Sequence, residues 1–232
     1  MPRIDPRTSL AVLVLISIPK FDLLGQMQNH RENGRRALTS DEADAAIKEL
    51  QRRDAVETLL YLNTVRINPE LARTDTYQRR FNHYYRLRQR RPVFYTTFYA
   101  ALYDAARKPE EVSLGTLLQK VYSACQERHL SFCSKLLATV QGEAVVFDKN
   151  VAEFFGISIA PLPQLNWLNA AIRRYELLRT RITQFLATLE WPDISASFDV
   201  RFPEAVHLPD IRKDDLLIWA YVGMHPRRVR PQ

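Results

Sequence analysis

Residues 113–151 read SLGTLLQKVYSACQERHLSFCSKLLATVQGEAVVFDKNV, and their periodicity decides the fold class. Leu114, Leu117, Leu118, Val121, Tyr122 and Cys125 recur at i, i+3, i+4, i+7, i+8 and i+11, which is one apolar face of a helix. A short polar break, 126–129, separates this helix from a second one over 131–140. The second helix turns Phe132, Cys133, Leu136, Leu137 and Val140 inward. Two helices joined by so tight a turn form a helical hairpin. A loop at 141–144 and the apolar Val145-Val146-Phe147 follow. Asp148 then stands as N-cap of a helix over 149–155 that Gly156 stops.

Upstream, 73–91 carries seven arginines (73, 79, 80, 86, 88, 90 and 91) and one acid, Asp75. On a single helix through this segment, Tyr77, Phe81, Tyr84, Tyr85 and Leu87 share one stripe, read either as core or as base-stacking platforms. Arg79, Arg80, His83, Arg86 and Arg90 take the opposite side. That side reads either as a plain solvated face or as a footprint that tracks a phosphate backbone. The whole chain of 232 residues carries +7, with 26 arginines against 7 lysines. Arginine forks suit bidentate phosphate contacts. Arg227, Arg228 and Arg230 form a second basic cluster.

The rest of the chain is helical in pattern. Ser40, followed by Asp41 and Glu42, caps a helix that runs to about residue 65. Pro92 opens an aromatic helix with Phe94, Phe98 and Leu102 on one stripe and Tyr95, Tyr99 and Tyr103 beside it. Pro161 and Pro163 mark a linker. A long helix over 168–189 buries Ile172, Tyr175, Leu178, Ile182, Phe185 and Leu189. After Trp191-Pro192 comes a mixed stretch, then a last apolar helix over 216–221. The nine-residue apolar run 10–18 is too short to span a membrane and reads as a buried strand or first helix. The expected architecture is mainly α, with a possible short N-terminal strand. A helical segment over 1–72 packs on a domain spanning 73–232.

Composition excludes several function classes. With 6 glycines and no G-x-G-x-x-G or Walker-type loop, a glycine-cradled phosphate site is not expected. Two cysteines, Cys125 and Cys133, cannot build a disulfide framework, a four-cysteine zinc site or an iron–sulfur cluster. The five histidines lack metal-ligand spacing, so neither metal nor cofactor is expected. A reducing, cytoplasmic setting is the simplest reading.

The hairpin SFCSKLLATV, the loop and VVFDKNVAEFFG together resemble the helix-hairpin-helix DNA glycosylase superfamily, the group that holds 8-oxoguanine DNA glycosylase. The same stretch, with the upstream YYRLR and the late LLIWAY, is similar to uncharacterised bacterial proteins described as 8-oxoguanine-glycosylase-like. The resemblance covers about 73–221. It implies a helix-hairpin-helix fold, a DNA duplex as partner and Asp148 at the position of the family's aspartate. That residue activates water or stabilises the cationic sugar as the glycosidic bond breaks. It also places His129 and Ser131 in the DNA-contacting hairpin, which here has no glycine. Bifunctional members carry a Schiff-base lysine eighteen or nineteen residues before the aspartate, where this chain has Leu130 and His129. The resemblance therefore implies base release without strand cleavage.

Two residues keep two readings. Asp148 is a helix cap, a catalytic carboxylate, or both. Lys135, thirteen residues before it, is a solvated helix lysine or a nucleophile at the cleft mouth. At the level of the whole chain, three functions compete. They are a monofunctional base-excision glycosylase acting on a flipped base, a non-catalytic nucleic-acid binder on the same helices, and a helical protein-interaction module. The first makes Arg79, Arg80, Arg86 and Arg90 the nucleic-acid contacts and Asp148 the catalytic residue, with Lys135 as a second candidate.

Overall fold

Ten α-helices and four short 3-10 turns account for the secondary structure of the described residues, and none of these residues is in a strand. The computed structural model describes residues 37–88 and 90–225. The expected strand at 10–18 and the cluster Arg227, Arg228 and Arg230 lie outside them. The mainly helical architecture expected from the periodicities is what the described residues form.

The first two helices, α1 (Ser40–Gln51) and α2 (Ala55–Asn63), replace the one expected over 40–65. Their break falls at Arg52-Arg53-Asp54, where both arginines fold back onto Glu49 and ion-pair with it. The cap of α1 is Thr39, one residue before the Ser40 read from sequence, and Glu42 closes a reciprocal capping box with it. Next come α3 (Asp75–Tyr84) and α4 (Pro92–Arg107), then the hairpin α5 (Leu114–Cys125) and α6 (Leu130–Gln141). Asp148 caps α7 (Lys149–Phe154). The long α8 (Trp167–Leu186) ends earlier than its pattern implied, and Leu189, expected in the core, is 94% exposed. The stretch read as mixed is a helix, α9 (Trp191–Arg201), with Pro192 in its first turn, where a missing N–H costs nothing. The last helix, α10 (Asp210–Met224), opens six residues before the apolar run that announced it.

The core is continuous from Leu38 to Ala220. Its centre is aromatic. Phe81 and Phe98 lie 5.5 Å apart, and Phe94 stacks on Phe98 at the same separation. The stripe of α3 is core, with Tyr77 and Phe81 fully buried, Tyr85 nearly so and Tyr84 half-buried. α10 packs along α1 and against α7 and α8, which brings the last helix beside the hairpin. Tyr221 donates to Glu42 at 2.7 Å and ties α10 to α1.

The reading of 73–91 as one helix is corrected. α3 ends at Tyr84, and Arg86 follows in the left-handed region at φ 54°. The Leu87 N–H reaches Asn82 C=O at 2.9 Å and the Arg86 N–H reaches His83 C=O at 3.3 Å. These two bonds make a Schellman motif with an arginine where glycine is usual. The turn sends Leu87 into the core and leaves Arg86 and Arg88 exposed beyond the end of α3.

Candidate functional site

The hairpin, the Schellman turn and α10 enclose a cavity of about 310 Å³, at the lower end of the range for small-molecule sites. Its placement starts at Ser134, which is fully buried. The Ser134 hydroxyl donates to Ser131 C=O and accepts the N–H of Phe147, both at 2.9 Å. That pair of bonds pins the 142–148 loop to α6 and sets Asp148 at the cavity wall. The Oδ1 of Asp148 accepts the N–H groups of Asn150 (2.8 Å) and Val151 (3.2 Å), which caps α7.

Lys135 is not a solvated helix lysine. Its side chain is 8% exposed, and Nζ lies 3.7 Å from Asp148 Oδ2. The Nζ also sits 5.6 Å from the centre of the Tyr85 ring and 5.7 Å from that of Phe132. A helical wheel missed this because the loop and α10 cover the side of α6 that the hairpin leaves open. Burial pushes the Lys135 amine below its usual range, and the nearby Arg86 pushes the same way. The carboxylates of Asp148 and Asp215 only partly offset this.

Asp215 lines the same cavity, and sequence reasoning missed it. Burial raises its carboxyl to about 6, against the opposing pull of Arg212. Arg212 is fully buried. Its Nη1 stands 3.2 Å from Asp215 Oδ2, and its Nη2 donates to the Tyr85 hydroxyl at 3.1 Å. The guanidinium thus holds two wall residues from behind. Trp219 and Tyr84 complete the mouth with Arg86. The signal for Asp215 and Arg212 was present in RKDDLLIWAY, where four charged residues open an apolar helix. Charges that share a helix with a core stripe are paired or functional.

Of the residues predicted from sequence, the cavity gathers Asp148, Lys135, Ser131 and Arg86. Arg90 lies outside it, with its guanidinium 5.1 Å over the ring of Phe132. His129 is half-buried with its ring 4.6 Å from that of Phe94, and burial lowers its basicity. Arg79 is exposed on α3. Arg80 is exposed too, 4.4 Å over the Tyr61 ring. Neither reaches the cavity.

The arrangement offers a buried amine, a carboxylate 3.7 Å away, a second carboxyl that burial raises to about 6 and a cationic, aromatic mouth. Among the described residues, no group of three His, Cys, Asp or Glu side chains is placed to hold a metal ion. Among the same residues, no helix is long and apolar enough to cross a membrane. Comparison with family models, with curated proteins and with solved structures finds no match for this chain.

Proposed function

We propose that this protein is a DNA N-glycosylase that draws one base of a duplex into the Lys135–Asp148 cavity and breaks its bond to the sugar. The observation that carries the reading is the pairing of the buried Lys135 with the half-buried Asp148 at the wall of a cavity with a basic, aromatic mouth. A lysine that served only the fold would cost less as an apolar residue of the same length. In this cavity the pair faces open space large enough for a ligand. The aromatic side chains suit the face of an unstacked base, and Arg86 suits the phosphates beside it.

Two nucleophiles fit the site. In the hydrolytic route, Asp148 takes a proton from water as the water oxygen bonds to C1′. The electron pair of the glycosidic bond leaves on the base, which gains a proton, and an abasic site remains. In the second route, the Nζ lone pair of neutral Lys135 forms the bond to C1′, the electron pair of the glycosidic bond leaves on the base, and one Nζ proton passes to Asp148. The C1′–O4′ bond then opens, O4′ takes the second Nζ proton, and the C1′=Nζ imine that borohydride reduces is formed. The burial of Lys135 favours this second route, because a desolvated amine of lowered basicity is a competent nucleophile.

A panel of duplexes carrying oxidised, alkylated or deaminated bases tests the function, read by release of the free base. Release that is lost in Asp148→Asn supports the proposal. No release from any duplex, together with salt-dependent binding, would make the chain a non-catalytic nucleic-acid binder. Borohydride added during the reaction separates the routes. A protein–DNA adduct that disappears in Lys135→Ala assigns the amine route, and base release without an adduct assigns water.

A further inference from the structure

A second cavity, of about 400 Å³, lies on the other side of Trp219. It shares Trp219, Arg86 and Tyr84 with the first, so the two spaces meet along one wall. Arg53, His83 and Arg88 add to its lining, and among the described residues Asp54 is the one acid on it. Arg53 is already ion-paired to Glu49. Neither Arg86 nor Arg88 pairs with a carboxylate among the described residues. Two cations face this space with their charge unspent. The indole of Trp219 has Arg53 5.1 Å and Arg86 5.9 Å from its ring centre, which makes it a flat surface flanked by positive charge.

The backbone points the same way. Arg86 keeps a long cationic side chain at φ 54°, a position where glycine is the unstrained choice. Strain of this kind persists where the surroundings or a function demand that side chain. Here the side chain stands on the ridge between the two cavities.

We infer that the Trp219–Arg86–Arg88 groove seats the nucleotide next to the one held in the Lys135–Asp148 cavity, with its phosphate on Arg86 and Arg88 and its base on Trp219. The inference rests on the reading of the first cavity as a base pocket. The ligand class is a DNA strand whose bases have left the stack on either side of one phosphate. A cationic groove beside an aromatic platform is the recurring way to hold such a strand. The groove thus defines a direction, since the strand enters between α2 and the Schellman turn and ends its excursion at Lys135.

Arg88 is the residue to test, because it lines only the second cavity and is exposed. The probe is a short fluorescein-labelled duplex with one abasic-site analogue, and affinity is measured by anisotropy over a salt series. Arg88→Ala is expected to weaken binding about tenfold, the effect of one lost charged hydrogen bond. It should also flatten the log–log salt slope by about 0.7 to 0.9. Arg88→Lys should recover most of the slope. A neutral methylphosphonate linkage beside the abasic analogue should weaken the wild type by more than Arg88→Ala does, because the Arg86 contact is lost as well. It should weaken Arg88→Ala by less than it weakens the wild type. An unchanged affinity and slope in Arg88→Ala would overturn the inference. So would an Arg88→Ala loss that stays the same wherever the neutral linkage is placed. Asp148→Asn keeps the two readings apart, because it should lose base release yet bind the probe with the wild-type slope. If no base is released from any duplex, the Arg88 result still stands on binding alone. If base is released and Arg88→Ala binds normally, only the groove falls.

Discussion

Asp148 divides its two carboxylate oxygens between two tasks. Oδ1 holds the first N–H groups of α7, and Oδ2 faces Lys135 Nζ at 3.7 Å. The two readings of this residue, cap and chemistry, are therefore compatible in one conformation. They also separate by mutation. Asp148→Asn keeps an oxygen acceptor for the cap and removes the charge, so the melting temperature should change little while base release falls steeply. Asp148→Ala removes both and should cost about 1 kcal/mol of stability in addition. Thermal melts beside single-turnover base release check this. Equal stability losses in the two variants would mean that the charge, rather than the cap, is what the fold needs.

The pH dependence of adduct formation follows from the groups around Lys135. In the proposed amine route Lys135 attacks only when neutral, so borohydride trapping should rise with pH and level off once Lys135 has lost its proton. Burial places that rise below the ordinary lysine value of about 10.4. The Asp215 carboxylate acts against burial by favouring the charged amine. Asp215→Asn removes this and should shift the rise to lower pH. A shift to higher pH would show that Asp215 acts on Lys135 in some way other than through its charge.

The helical hairpin, the Asp148 cap and the aromatic core of α3 and α4 were legible because each is written in local spacing. The breaks were less so. The turn after Tyr84 carries neither glycine nor proline, so the period of α3 ran on through Arg86 in sequence while the backbone did not. Lys135 sits on the side of α6 opposite the hairpin partner, and local pattern gives no notice of the distant α10 that buries it. Asp215 and Trp219 belong to the same class, since they become neighbours of the hairpin only through packing that spans most of the chain. The arginine count of 73–91 drew attention to a real basic region. Only the structure separates Arg86 and Arg88, which line these two cavities, from Arg79 and Arg80, which line neither.

The C-terminus of α6 depends on a glycine that function does not require. Gly142 has φ 78°, and a Cβ built there would lie 2.8 Å from Arg66 Nη1. Arg66 donates to Thr139 C=O at 2.6 Å and to Ala138 C=O at 3.1 Å, two carbonyls of the last turn of α6. Gly142→Ala should therefore strain the backbone and push Arg66 off these carbonyls, costing about 1 to 3 kcal/mol. Urea unfolding measures the loss. Asp148 is held at the other end of this loop by the Ser134 bonds to Ser131 and Phe147, so base release per folded molecule should hold.

Arg86 sets stability against binding at one position. Its left-handed conformation favours glycine, so Arg86→Gly should stabilise the fold by about 1 kcal/mol, less a small loss from the cation that sits 5.9 Å from the Trp219 ring. The same change removes the cation shared by both cavities, so the salt slope for the abasic-analogue duplex should fall by about 0.9 and affinity with it. Arg86→Lys retains the charge and the strain, and should leave both stability and slope near the wild type. Arg79→Ala combined with Arg80→Ala serves as the surface control. Both residues are exposed and lie outside the cavities, so the pair should move the slope less than Arg86→Gly alone. Chemical unfolding and anisotropy titrations on the same preparations decide the matter. A gain in stability with a loss of slope identifies a side chain kept for its ligand. A loss of stability with an unchanged slope would make Arg86 a structural residue and move the phosphate contact to Arg53 or Arg88.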